Sequence, residues 1–223
     1  MHKTVQNLIS IQESIKLKLL NLKNKDRIPK IIAVSKTFKI DHILPLIVHG
    51  HLDYGENKVQ EALEKWSDVK TKNSNINLHL IGKLQTNKVK FAVKIFDYIH
   101  SLDSEKLAIK ISKFQKELNK DVKIFIQVNL ANEDQKSGID LNNLEKFYNY
   151  CTKELSLNVI GLMCLPPIDS DSLDFFSQLK INADRLKIHE LSMGMSSDYE
   201  SAVNSGSTFL RIGSSIMGKR KII

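Results

Sequence analysis

Short apolar runs alternate with helical patterns along the whole chain. Eight runs are apolar and mostly β-branched, which is typical of strands buried on both faces of a sheet. These predicted strands are Ile31–Ser35, His51–Tyr54, Leu78–Gly82, Tyr98–Ser101, Val122–Leu130, Val159–Leu165, His189–Met193 and Phe209–Gly213. Between most of them apolar residues recur every three or four positions, as on one face of a helix. The pattern therefore predicts strands and helices in alternation.

This alternation predicts a parallel sheet, because each parallel crossover needs a connection about as long as a helix. Eight such units close naturally into a barrel, so we predict an α/β fold of the (β/α)8 TIM type that forms a single domain over residues 1–223. An open doubly wound sheet is the alternative, but no Gly-rich dinucleotide fingerprint follows any predicted strand. An amphipathic pattern over residues 5–22 predicts an additional N-terminal helix.

Composition narrows the class of protein. The hydrophobic fraction of 42% in 223 residues is enough for a sizeable core. The net charge of +8 suggests nucleic acid, but the lysines are scattered and no binding motif accompanies them, so we expect a solvated basic surface and no nucleic-acid partner. Cys151 and Cys164 form neither a disulfide framework nor a metal-ligand spacing, and no signal peptide or membrane span is present, so we expect the cytoplasm.

Lys36 lies where the first predicted strand ends. A lysine at this position can keep its stem in apolar surroundings while its amine reaches a pocket. Burial disfavours the ammonium form and makes the amine available to attack a carbonyl, which is the chemistry of a Schiff-base lysine. The alternative from position alone is that Lys36 merely marks the end of a strand.

Small residues and hydroxyls follow the last two predicted strands, where barrels usually hold phosphate. They are Gly194, Ser196, Ser197, Gly213, Ser214 and Ser215. Small residues let backbone N–H groups approach an anion, and serine hydroxyls add further donors. Each loop by itself could be an ordinary helix cap, with Ser or Asp198 as the N-cap residue. The pair of loops favours a phosphate site.

Three further polar residues stand at or near predicted strands. Arg211 should point into the barrel or its mouth, toward a planar acceptor or, alternatively, an interior carboxylate. Asn57 faces a ligand or simply belongs to the first turn of a helix. His79 alternates with two leucines, so we expect a packed, hydrogen-bonded histidine.

Short segments in a fixed order resemble the pyridoxal phosphate homeostasis proteins, single-domain relatives of the alanine racemase N-terminal barrel. The matching segments are Ala33–Thr37, Tyr54–Glu61, His79–Gly82, Leu84–Lys88, His100–Asp103, Gln127–Asn129, Lys136–Gly138, Gly161–Met163, Leu191–Ser196 and Val203–Gly218. They span nearly the whole chain. One departure is Lys83, where the family usually has proline, and it puts the details of that loop in doubt.

The resemblance implies a pyridoxal 5′-phosphate site. By this resemblance Lys36 holds the cofactor as an internal aldimine, Arg211 faces the pyridine nitrogen and Asn57 lies close to the ring. Ser196, Gly213 and Ser214 would bind the phosphate. No metal site is expected.

Arginine only donates hydrogen bonds, so the pyridine nitrogen beside it stays unprotonated and the ring is a poorer electron sink. In racemases that resemble this barrel, a second base comes from an additional C-terminal domain, and this chain ends at Ile223. We therefore expect no catalytic residue but a monomeric carrier of the cofactor in vitamin B6 homeostasis, with effects on amino-acid metabolism. Enzymes that receive the cofactor are candidate partners. A weak racemase or a Schiff-base aldolase is the alternative function.

Overall fold

The strands of the protein form one sheet. The structure is a computed structural model and describes residues 1–22, 27–131, 137–167 and 170–218. Its strands are β1 (Lys30–Val34), β2 (Asp53–Glu56), β3 (Asn77–Leu80), β4 (Tyr98–Leu102), β5 (Lys123–Asn129), β6 (Ile139–Asp140), β7 (Val159–Met163), β8 (Glu190–Met195) and β9 (Phe209–Ile212). Apart from β6, each begins and ends within two residues of a predicted strand.

The sheet closes on itself. Its strand order is β4-β3-β2-β1-β9-β8-β7-β5, and β4 pairs with β5 as well, so eight parallel strands form a barrel. This confirms the predicted TIM-type fold. The open-sheet alternative is wrong, because an open sheet would leave two unpaired edges. The sequence pattern does not predict β6, a two-residue strand that pairs with the far end of β5.

Helices surround the barrel. They are α1 (Lys3–Asn21), α2 (Ile40–Val48), α3 (Val59–Lys72), α4 (Val89–Ile95), α5 (Glu105–Leu118), α6 (Leu141–Asn149), α7 (Ser172–Arg185), α8 (Tyr199–Asn204) and α9 (Ser214–Met217). A 3₁₀ turn, Thr86–Lys88, precedes α4, and a π-helical turn, Tyr150–Glu154, continues α6. The predicted N-terminal helix is α1, which buries Val5, Leu8, Ile11 and Ile15 against α2, α8 and α9.

The two faces of each barrel strand bury side chains in different cores. On β9, Leu210 and Ile212 belong to the large core between barrel and helices, whereas Phe209 packs inside the barrel. The interior core consists of Ile32, Tyr98, Phe125, Met163 and Phe209. Alternation along β9 places Arg211 on the interior face as well.

A glycine makes room for this interior core. A Cβ on Gly161 would lie 2.6 Å from the Phe125 ring and 2.2 Å from the Glu190 carbonyl oxygen. Any side chain at this position of β7 would therefore push β8 or the ring out of place.

Candidate functional site

A cavity of about 950 Å³ opens at the carboxyl ends of β1, β8 and β9, and we call it the mouth cavity. The six residues assigned by resemblance all line it: Lys36, Asn57, Ser196, Arg211, Gly213 and Ser214. Its other lining residues are Val34, Phe38, Ile81, Leu165, Met195, Ser197, Ser215 and Gly218. The structure thus brings together residues that are up to 178 positions apart, from Lys36 to Ser214.

Lys36 follows β1 on a short, strained turn. Its side chain is half-buried, and the next residue, Thr37, has a positive φ of 69°. A β-branched residue rarely adopts this conformation, and such strain is maintained only where the surroundings impose it. Here the Thr37 N–H donates to the Glu61 carboxylate at 2.5 Å, which anchors the turn to α3.

A buried ion pair lies behind this turn, and the sequence analysis missed it. Glu56 is fully buried at the end of β2, and its Oε1 accepts from Lys65 Nζ at 2.9 Å. The same oxygen accepts from Ser35 Oγ at 2.7 Å and from Trp66 Nε1 at 2.9 Å. Lys65 Nζ also donates to the Ser35 carbonyl at 2.9 Å, directly before Lys36. Burial raises the pKa of Glu56, although Lys65 opposes this shift.

Arg211 is nearly fully buried and is held by neutral acceptors. Its Nη1 donates to Ser192 Oγ at 2.7 Å, and its Nη2 donates to the Cys164 carbonyl at 2.9 Å. Among the described residues no carboxylate forms an ion pair with Arg211, so the alternative of an interior ion pair is wrong for this part of the chain. Arg211 also lines the mouth cavity, in keeping with the predicted orientation toward the barrel mouth.

The two loops after β8 and β9 are bonded to each other through Ser196. Its Oγ accepts from the backbone N–H groups of Gly213, at 3.1 Å, and Ser215, at 3.3 Å. Asp198 occupies the N-cap position of α8, but its carboxylate accepts from the Met195 N–H at 2.6 Å and makes no cap bond to the helix. The hydroxyl and N–H groups of the two loops therefore converge on one edge of the mouth cavity.

Asn57 lies between the end of β2 and α3. It precedes the N-cap residue Lys58, so it is not part of the first helical turn, and it lines the mouth cavity. A Cβ on Gly82 would lie 2.4 Å from the Asn57 carbonyl oxygen. Glycine at this position lets the loop after β3 pack directly against the Asn57 backbone.

A second cavity of about 570 Å³, the side cavity, adjoins the mouth cavity and shares Asn57, Ile81 and Leu165 with it. Lys83, the residue that departs from the family pattern, lines the side cavity and is exposed. Lys136, the first residue of one matching segment, lies outside the described residues. His79 is fully buried and hydrogen-bonded, which confirms its prediction.

Comparison with known proteins identifies the family. A family model described as "Alanine racemase, N-terminal domain" matches residues 12–221. The pyridoxal phosphate homeostasis protein of Pasteurella multocida is 35% identical over 225 residues, which cover 96% of this chain and 97% of that protein. The chain therefore belongs to the family of pyridoxal phosphate homeostasis proteins, which has the barrel of the alanine racemase N-terminal domain. Another member, from Aquifex aeolicus, is 37% identical over 86% of this chain and 87% of its own length. These relatives are named for homeostasis and not for a reaction, in agreement with the expectation of a non-enzyme.

Solved structures that are similar to this chain have the same fold. PipY of Synechococcus elongatus with pyridoxal phosphate bound superimposes with a TM-score of 0.84 at 32% identity, covering 96% of this chain and all 100% of that one. The same protein without the cofactor gives a TM-score of 0.87 at 31% identity and covers 97% of this chain. Alanine racemase of Corynebacterium glutamicum, 15% identical with a TM-score of 0.66, shares the barrel fold over 60% of its length.

Two further kinds of site are absent from the part of the chain that the structure describes. No described helix is both long and apolar enough to cross a bilayer. Within the same residues, no three His, Cys, Asp or Glu side chains are grouped to hold a metal ion.

Proposed function

We propose that this protein binds pyridoxal 5′-phosphate in the mouth cavity and carries it on Lys36 as part of intracellular vitamin B6 homeostasis. One observation carries the proposal: a lysine, a buried arginine and a hydroxyl-lined pair of loops face one cavity. The relative named for binding, PipY with pyridoxal phosphate, supports it at 32% identity over nearly the whole chain.

The donor set of the mouth cavity suits this cofactor. Lys36 supplies an amine for the aldehyde, and Arg211 supplies hydrogen-bond donors for the pyridine nitrogen. Apolar side chains are available for the two faces of the ring: Val34, Phe38, Ile81, Leu165 and Met195. The cavity volume of about 950 Å³ is in the range of small-molecule sites. Asn57 completes the wall next to the ring.

Phosphate binding is assigned to Ser196, Gly213 and Ser214. In the structure, Ser196 Oγ accepts from the Gly213 and Ser215 N–H groups. A phosphate oxygen could take the place of this hydroxyl oxygen, and the Ser196 hydroxyl would then be available to donate to the phosphate. The exposed hydroxyl of Ser214 is a further donor at the same edge.

The covalent step is reversible condensation. When the cofactor is bound, its aldehyde would supply the carbon to which the Lys36 amine adds, and loss of one water would leave the cofactor joined to Nζ. An arginine beside the ring nitrogen keeps that nitrogen unprotonated, which weakens the ring as an electron sink. This favours holding and releasing the cofactor over turnover of amino acids. A weak racemase remains the alternative function.

The cellular role follows from reversible carriage. We propose a cytoplasmic monomer that buffers the cofactor or delivers it to enzymes that use it, and thereby influences amino-acid pools. Both cysteines are free thiols, which suits a reducing compartment. Residues 1–223 are proposed to form one domain.

Borohydride reduction of the loaded protein tests the proposal. The reduced C–N bond is stable, so peptide mass spectrometry should locate one pyridoxyl group on Lys36. Lys36→Ala should lose the adduct and the visible absorbance, whereas Lys83→Ala, which removes an exposed lysine of the side cavity, should keep both. An adduct that persists at the wild-type level in Lys36→Ala would refute the assignment.

A further inference from the structure

Polar side chains cross the barrel interior in a continuous row. At the end away from the mouth, Asp53 Oδ1 lies 3.0 Å from His79 Nε2. His79 Nδ1 then lies 3.0 Å from His100 Nε2, and His100 Nδ1 lies 2.8 Å from Ser192 Oγ. Ser192 Oγ in turn accepts from Arg211 Nη1 at 2.7 Å. We call these five side chains the interior network. They come from five different strands, so closure of the barrel is what brings them together.

Aromatic rings enclose the middle of the network. His79 stacks on Tyr98 with ring centroids 4.2 Å apart, and His100 stacks on Phe125 at 4.3 Å. Both histidines are fully buried, and Phe209 packs next to them. Polar groups in such a place are costly unless each finds a partner, and all four imidazole nitrogens have one.

The direction of the hydrogen bonds is determined by the two ends of the network. Burial lowers the pKa of both His79 and His100, so both rings are neutral near neutral pH. Burial alone would raise the pKa of Asp53, but the hydrogen bond from His79 holds it below its ordinary value, so Asp53 is a carboxylate that only accepts. The charged or titratable groups that act on the two rings are Asp53, Asp97, Lys30, His51, Arg211 and the rings themselves.

Given neutral rings, one arrangement satisfies every partner. His79 must donate from Nε2 to Asp53, so its Nδ1 accepts from the Nε2–H of His100. His100 Nδ1 then accepts from the Ser192 hydroxyl, whose oxygen accepts from Arg211. Each bond runs from the arginine toward the carboxylate, and no donor meets a donor.

We propose that Ser192, His100 and His79 are positioning residues that orient Arg211 toward the pyridine nitrogen of the bound cofactor. This inference rests on the proposed function and goes beyond it. A carboxylate beside Arg211 would occupy several of its five N–H donors, whereas Ser192 and the Cys164 carbonyl each receive one. The network therefore fixes the guanidinium and leaves donors for the cavity, while the negative charge of Asp53 stays at the opposite end of the barrel.

The variant Ser192→Ala breaks the network at its last link and is small enough to fit a fully buried position. The matched control is Ser112→Ala, which removes another buried hydroxyl, one that donates to the Leu155 carbonyl on the outside of the barrel. Titration with pyridoxal 5′-phosphate, followed by visible absorbance, should give a Kd about tenfold higher for Ser192→Ala, because a hydrogen bond to a charged group is lost. The absorbance maximum of the bound cofactor should also shift, and the control should match the wild type.

The free wild-type protein supplies an independent readout. Nitrogen-15 NMR of the imidazole rings should find His79 and His100 neutral and protonated at Nε2. Protonation at Nδ1 of either ring would overturn the proposed role of the interior network. So would equal Kd values for Ser192→Ala and Ser112→Ala, provided that the wild type binds the cofactor. Neither result would affect the proposed function. A wild type that takes up no cofactor would instead overturn the proposed function, and with it the role of the network.

Discussion

The buried ion pair behind Lys36 should be the most sensitive charged contact of the barrel mouth. Glu56 has no exposed side-chain surface and Lys65 has 9%, and their charged atoms are 2.9 Å apart. At an effective dielectric constant of ~20, two unit charges at this distance attract by about 6 kcal/mol, part of which the desolvation of both groups offsets. Lys65→Met leaves the carboxylate buried without its cation, so we expect a loss of roughly 3–5 kcal/mol in the free energy of unfolding.

Urea unfolding followed by circular dichroism measures this loss. The matched control is Lys90→Met, because the Lys90–Glu117 pair is exposed on both sides, at 51% and 42%, and should contribute no more than ~1 kcal/mol. Adding Glu56→Gln to Lys65→Met removes the unpaired negative charge but keeps an acceptor for Trp66. The double variant should therefore recover part of the lost free energy of unfolding.

The pH dependence of this loss has a definite sign. Burial already raises the pKa of Glu56 in the folded protein, and removal of Lys65 raises it further. The folded state then holds a proton that the unfolded state releases, so stability increases as the pH falls through the folded pKa toward the ordinary value. The loss caused by Lys65→Met should therefore be largest near neutral pH and smaller in acid. A loss no larger than that of Lys90→Met at neutral pH would mean that Glu56 is already protonated there, and would refute the reasoning.

Two other substitutions test the site and the barrel. Ser196→Ala removes the hydroxyl that joins the loops after β8 and β9. The Kd for pyridoxal 5′-phosphate should therefore rise about tenfold, while the Kd for pyridoxal, which lacks the phosphate, stays the same. Equal changes for both ligands would contradict the proposed phosphate site. Gly161→Ala places a Cβ 2.2 Å from the Glu190 carbonyl oxygen. It should lower the free energy of unfolding, measured in urea, by ~1–3 kcal/mol. An unchanged midpoint would show that β8 can move to accommodate the methyl group without loss of stability.

The barrel could be predicted because its strands are covered on both sides and so read as apolar runs. The carboxyl ends of these runs then identified Lys36 and the loops of Ser196 and Gly213, since parallel strands bring those ends to one edge. The two-residue β6 could not be predicted, because two residues are too few to show the alternation of a strand. The partners of His79, which are Asp53 and His100, could not be predicted either, because they depend on the register of β3 against β2 and β4.

Lys65 and Arg211, two cations close to the mouth cavity, have different kinds of partner, and this difference indicates different roles. Lys65 is neutralised at once by Glu56 and Glu61 and holds the Ser35 carbonyl, so it acts as a structural support for the turn of Lys36. The hydrogen-bond acceptors of Arg211 among the described residues are neutral, and the Asp198 carboxylate acts on it only through space. The carboxylate to which hydrogen bonds link Arg211 is Asp53, beyond three further side chains of the interior network. A fold that needed Arg211 only for packing would gain from a carboxylate beside it, since a buried cation without one is costly. In the structure no carboxylate among the described residues is hydrogen-bonded to Arg211. This arrangement is expected where a bound ligand accepts hydrogen bonds from the remaining guanidinium donors.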